Sequence, residues 1–127
     1  EYIGGKDHIT TMMKARSSTG RQFIEVCKCA GWGDVGYVNR WTMEIYNMNQ
    51  HESVVLPVGE RIAQLVFYDT GPVDQEYRNL SGKYQPNTSD DLESLISSWS
   101  PDQMLPKSYK DKRRKPVEIE GLKVRWR

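Results

Sequence analysis

Residues 22–47, QFIEVCKCAGWGDVGYVNRWTMEIYN, read as two β-strands around a turn-rich centre. β-Branched and aromatic residues in partial alternation fill 22–30 and 41–47, the pattern of strands whose two faces meet different surroundings. Between them GWGDVG, residues 31–36, carries three glycines and an aspartate, which supply the backbone freedom and local hydrogen bonding of a chain reversal.

Outward from this unit the same signals continue. SVVLP (53–57) and RIAQLVFY (61–68) are two further strand segments, and PVGE (57–60) reads as a tight reversal between them. DDLESLISSW, residues 90–99, is the one helical segment, with Leu92, Leu95 and Ile96 at helical spacing and Ser89 or Asp90 as its cap. From Ser100 onward, Pro101, Pro106 and Pro116 among many charges predict an extended stretch, ordered only by docking. There is no internal repeat. Short strands punctuated by turns imply an all-β sandwich or barrel.

Composition bounds the rest. With 127 residues, 37% hydrophobic and 28% charged, the chain suits one domain with a modest core. No apolar run reaches the roughly 20 residues of a membrane span, and the opening EYIGGKDH has neither a signal peptide's apolar region nor an initiator Met. The expectation is a soluble chain trimmed upstream. Cys27 and Cys29 share a strand face across one residue, too tight for an easy mutual disulfide; this fits a reducing compartment, the cytoplasm or an organelle matrix. Neither His8 nor His51 lies at zinc-site spacing from them. Charge is divided along the chain: residues 107–127 hold nine Lys and Arg against three Asp and Glu, net +6, which leaves residues 1–106 at −5. KSYKDKRRK could contact an acidic partner or nucleic acid, but a solvated tail lying on the acidic body is the favoured reading.

Two segments carry candidate chemistry. In WTMEIYN (41–47), strand alternation sends Trp41, Met43 and Ile45 to one face and Thr42, Glu44 and Tyr46 to the other. On periodicity alone Glu44 is an ordinary solvent-facing carboxylate. ARSSTGR (15–21) places two arginines, two serines, a threonine and a glycine in one short loop, and guanidinium forks with hydroxyl donors and accessible backbone suit phosphate. Read by itself, it is equally a polar turn in water.

ARSSTGR, AGWGDVGY, WTMEIYN, LPVGERIAQLVF, EYRN and SGKYQ follow one another in the order and with the spacing of the dCTP deaminase branch of the dUTPase-like superfamily. The chain resembles that family over residues 1 to about 87. The resemblance implies an all-β, dUTPase-like distorted β-barrel or jelly roll lacking its N-terminal strands, with one peripheral helix and an extended C-terminal tail. It divides the chain into a β domain, 1–87, and a helix with a basic tail, 88–127. It implies deamination of dCTP to dUTP and ammonia, with a dUMP-forming bifunctional enzyme as the alternative, towards which the AGW before Asp34 leans. A non-catalytic nucleotide-fold scaffold is a further alternative.

The resemblance also assigns roles. Glu44 takes the place of the glutamate that accepts a proton from the water attacking C4 of cytosine and then passes protons to the departing ammonia. Ser17, Arg21 and the Ala30 carbonyl match the groups holding that water and the base. Arg16, Ser18, Thr19 and Gly20 match the triphosphate loop; Gln64, Tyr77 and Lys83 match further nucleotide contacts; Asp34 matches the deoxyribose-facing aspartate. Thr42 and Met43 correspond to backbone lining the base. Magnesium is expected on the triphosphate oxygens. Zinc is not expected, because the H-x-E and P-C-x-x-C signature of zinc deaminases is absent. A homotrimer with sites between subunits is implied.

Several positions depart from the family pattern. Its upstream G-Y-D-L-type strands have no counterpart, so an upstream segment or a separate chain is expected to complete the barrel. Thr19 replaces a Leu, Asn39 stands at a usual turn Gly, and Asn87 stands at a usual nucleotide-binding Gln. VCKCA (26–30) replaces the V-H-x-T-A stretch of members that respond to dTTP.

Overall fold

A two-sided sheet is organised around ITTMMKA. The computed structural model describes residues 1–80, 82–85, 89 and 91–111, with the backbone pairing of 118–119 and 122–123. In chain order the elements are β1 (Ile3–Gly4), β2 (Ile9–Ala15), the helical turn α1 (Ser17–Gly20), β3 (Ile24–Val26), β4 (Trp32–Gly33), β5 (Val38–Asn39), β6 (Ile45–Asn47), β7 (Ala63–Asp69), α2 (Leu92–Ser97), β8 (Glu118–Ile119) and β9 (Leu122–Lys123). All strand pairs are antiparallel: β4-β2-β7 form a three-stranded sheet, and β1-β5, β3-β6 and β8-β9 form two-stranded ones. The fold is all-β. Among the described residues these sheets do not close into a barrel.

β2 is central because both of its edges are used. Seven residue pairs join it to β7, from Ile9 opposite Asp69 to Ala15 opposite Ala63, and Thr11 and Met12 pair with β4 on the other side. Thr10 and Thr11 are buried there, and both hydroxyls donate to the Gly33 carbonyl, at 2.8 and 3.4 Å. A buried hydroxyl without such an acceptor would cost stability. The core is small: Met13, Val26 and Cys27 are buried, with Ala15, Trp41, Ala63 and Leu65 packed against them. Met13→Ala should therefore lower the unfolding free energy by about 2–5 kcal/mol, read from the denaturant midpoint at unchanged slope.

The expected strands are shorter than their composition suggests. QFIEVCKCA keeps only Ile24–Val26, because Phe23 and Cys27 on either side take φ of +60° and +52°. WTMEIYN keeps only Ile45–Asn47, and SVVLP pairs with no strand. β2, in contrast, escapes a reading by β-branched and aromatic content. ARSSTGR is a helical turn rather than a plain loop, with the Arg21 N–H on the Ser17 carbonyl at 3.0 Å. Asn39 sits in β5 without positive φ, and its side-chain amide donates to the Tyr84 carbonyl at 2.9 Å.

The helix is present, and its cap is Asp91: the carboxylate accepts from the N–H groups of Glu93 and Ser94, at 3.4 and 2.9 Å, while Ser89 instead receives the Asp91 N–H. Asp90 lies outside the described residues. Beyond the helix the chain is not simply extended. It makes 3-10 turns at Pro101–Met104 and Ser108–Lys110, and Lys107 is buried, its ammonium donating to the Lys83 carbonyl at 3.2 Å. The start of the basic segment is thus packed rather than solvated; most of KDKRRK lies outside the described residues, as does Asn87. No helix among the described residues is long and apolar enough to cross a membrane.

Candidate active site

Three groups of the candidate residues emerge from this framework. The first is the turn after β2. Pairing of β2 with β7 puts Lys14 opposite Gln64 and lets the Gln64 amide donate to the Ala15 carbonyl at 3.3 Å. Arg16 is held against the same strand entrance: its N–H donates to the Ile62 carbonyl at 3.0 Å and its guanidinium to the Arg61 carbonyl at 3.2 Å. Ser17, Ser18 and Gly20 are exposed on the turn, while Thr19 is buried under it. A Cβ on Gly20 would meet nothing within 4 Å, so the glycine leaves its backbone open to an incoming group. Arg16 and Gln64, 48 residues apart in number, thus converge.

The second group is Thr42, Met43 and Glu44, held by Cys27. Beyond the paired residues of β3 and β6, Val26 opposite Ile45, the Cys27 N–H donates to the Glu44 carbonyl at 2.8 Å. The Cys27 thiol faces the Thr42 carbonyl at 3.8 Å and the Met43 sulfur at 4.0 Å. Burial pushes this thiol up; the Glu44 backbone contact lowers it, and the Glu44 charge adds a smaller push upward. Because α1 packs on β3 and β3 pairs with β6, the first and second groups share one strand as their support.

The apolar face expected of 41–47 is not formed. Trp41 is half-buried against the core, its indole N–H donating to the Ile3 carbonyl at 2.9 Å, but Met43, Glu44, Ile45 and Tyr46 are all exposed. Regular alternation requires regular strand backbone, and only Ile45–Asn47 has it. Ala30 is exposed as well. Among the described ion pairs none joins Glu44 to Arg16 or Arg21. The partial desolvation expected of a general base is therefore not supplied by the described residues of this one chain.

The third group is Asp34, Tyr77 and Lys83. The Tyr77 N–H donates to the Val35 carbonyl at 2.7 Å, and its hydroxyl accepts the Tyr84 N–H at 3.1 Å. Burial raises the Tyr77 phenol; the Tyr84 contact lowers it, and the nearby charges of Asp34 and Lys83 push it up and down respectively. Lys83 is held in its charged form by the Asp111 carboxylate at 2.7 Å. Tyr37 packs edge-on against the Tyr77 ring, centroids 5.4 Å apart, and its own phenol is raised by burial. Gly36, at φ +86°, allows the approach of Glu76, whose Cβ would lie 2.6 Å from an added methyl.

Sequence reasoning weighed Cys27 only for a disulfide, zinc and the dTTP-responsive stretch, and passed over Tyr84 and Gln85. Gln85 is buried and accepts the Val38 N–H at 2.7 Å, fastening the third group to β5. Only the KYQ run hinted at it. Two surface depressions, lined in one case by Phe23, Met48 and His51 and in the other by His8, Glu76 and Arg78 among others, contain none of the candidate residues. Among the described residues no three His, Cys, Asp or Glu side chains gather as a protein-held metal would require.

Comparison with known proteins gives a consistent picture. A model of the dCTP deaminase-like family matches residues 1–70. A protein of Persephonella marina named "dCTP deaminase, dUMP-forming" is 43% identical over 88 residues, covering 67% of this chain and 45% of that protein. Proteins of the same name from Nanoarchaeum equitans and Clostridium acetobutylicum are 34% and 37% identical, with 66% and 64% of this chain and 42% and 44% of theirs covered. The chain thus spans somewhat under half the length of these relatives. The matched region holds the Arg16–Arg21 turn, the glycine-rich reversal and Glu44, and on that ground the chain belongs to the dCTP deaminase-like family.

Proposed function

We propose that this chain forms part of an enzyme that hydrolytically deaminates the cytosine of dCTP and releases dUMP. The observation that carries the reading is the support of both chemical segments by one strand: α1 packs on β3, and the Thr42–Glu44 segment continues the ladder of β3 with β6. Two waters are consumed. The first replaces the C4 amino group, leaving as ammonia; the second cleaves the α–β phosphoanhydride, leaving diphosphate.

In this reading Glu44 accepts a proton from the first water and returns it to the departing nitrogen. Ser17, Arg21 and the Ala30 carbonyl orient that water and the base. Arg16, Ser18, Thr19, Gly20, Gln64, Tyr77 and Lys83 take the triphosphate and sugar, with Asp34 towards the deoxyribose and the Thr42–Met43 backbone along the base. Magnesium fits as a cation carried by phosphate and water oxygens, since the described residues offer it no carboxylate cluster; it would neutralise charge on the triphosphate. Residues 1–87 are the β unit of this enzyme and 88–127 an addition to it. Assembly as a homotrimer, with neighbouring chain covering Glu44, agrees with the exposure of Phe23, Ile45, Tyr46 and Met48 around β3 and β6.

The dUMP product is preferred over the dUTP first expected, because the relatives compared carry "dUMP-forming" in their names. Incubation with dCTP and magnesium, followed by chromatography, should show ammonia, dUMP and diphosphate rising together. Accumulation of dUTP would overturn the product assignment, and an unaltered nucleotide would overturn the activity.

A further inference from the structure

Cys27 touches three consecutive residues of the candidate site through two atoms, its backbone nitrogen and its sulfur. Its N–H donates to the Glu44 carbonyl at 2.8 Å, and its sulfur lies 3.8 Å from the Thr42 carbonyl and 4.0 Å from the Met43 sulfur. It is 1% exposed, whereas Cys29, two residues on, is exposed. It also occupies the left-handed region at φ +52°, an uncommon conformation for a residue with a side chain. That conformation ends β3 while keeping the Cys27 N–H aimed at the opposite strand.

These contacts matter because 42–44 has one other tie among the described residues. The segment precedes β6, all three of its side chains are exposed, and its other described tie is the Thr42 hydroxyl on the Met104 carbonyl at 3.2 Å. A base on such a segment needs its backbone held, since a displacement of about 1 Å can cost on the order of a hundredfold in rate. We propose that Cys27 is the positioning residue for Glu44, fixing the Thr42–Glu44 backbone through its N–H and its buried thiol. This rests on the functional reading above, in which Glu44 is the base.

Replacement by glycine tests the sulfur without adding backbone strain, and circular dichroism reports any loss of folding from the core. Glycine accepts φ +52° without strain and retains the N–H, but removes the sulfur and loosens the backbone. Cys27→Gly should lower kcat for ammonia release from dCTP about tenfold or more with KM within about twofold, and Cys27→Ser should recover part of the loss because its hydroxyl can face the Thr42 carbonyl. A change in KM alone, or in kcat only in proportion to unfolded protein seen by circular dichroism, would overturn the proposal. A readout independent of turnover is thiol titration in a Cys29→Ser background: Glu44→Gln should make Cys27 ionise at lower pH, and an unmoved titration would show that the Glu44 carboxylate is not held beside the Cys27 thiol, overturning the positioning role. Failure of the wild-type protein to release ammonia would overturn the functional reading, and Cys27's role with it; turnover unaffected by Cys27→Gly would overturn the Cys27 proposal alone.

Discussion

Glu44→Gln should reduce ammonia release from dCTP by about a hundredfold to ten-thousandfold, the range that a positioned acid–base group contributes, while leaving nucleotide affinity within a few fold. Glutamine preserves the shape and the hydrogen-bonding oxygen of the side chain but cannot take the proton of the attacking water. In the proposed function binding falls to other residues: the Arg16–Arg21 turn, Gln64 beside it, and the Tyr77–Lys83 group. Turnover is followed by ammonia release and binding by titration calorimetry with dCTP. A Gln variant that turns over at the wild-type rate would remove Glu44 from the mechanism. Loss of binding as well as rate would instead make Glu44 part of the recognition surface.

How far the site was legible depended on which kind of information each residue carries. The order of ARSSTGR, AGWGDVGY and WTMEIYN pointed to the family, while the closeness of Gln64 to the Arg16 turn came from the pairing of β2 with β7. ITTMMKA was missed because Met, Lys and Ala are weak strand signals; it is a strand because β4 and β7 pair with both of its edges. SVVLP shows the converse. Val55 is 84% exposed and the segment has no partner strand, so β propensity alone does not make a sheet. The positive φ of Phe23 and Cys27 could not be read from residue type, since both are residues that ordinarily avoid it. The exposure of Glu44 was allowed by alternation, but the irregular backbone of 41–44 was not foreseen.

Gly31→Ala should be a strongly damaging single-methyl addition beside Cys27. The Gly31 carbonyl accepts the Met13 N–H at 2.6 Å, tying the start of the glycine-rich reversal to the core strand. A Cβ on Gly31 would lie 2.6 Å from the Met13 carbonyl oxygen, 2.8 Å from the Cys27 carbonyl oxygen and 3.3 Å from the Cys27 Cβ. Two of these neighbours are backbone, so no side-chain rotation relieves the overlap. β2 is held in place by its ladders on both edges, which leaves Ala30–Gly31 and the end of β3 to move. The cost should be about 1–3 kcal/mol or more, as for other insertions into close-packed sites, seen as a lower denaturant midpoint. The displacement would also carry Cys27 away from Glu44, so the fraction that remains folded should deaminate more slowly than wild type. Gly20→Ala is the matched control for backbone space, because its Cβ would meet nothing within 4 Å; its midpoint should stay close to wild type. Equal midpoints for Gly31→Ala and the wild-type protein would show that the reversal is not packed against Met13 and Cys27 as the structure has it.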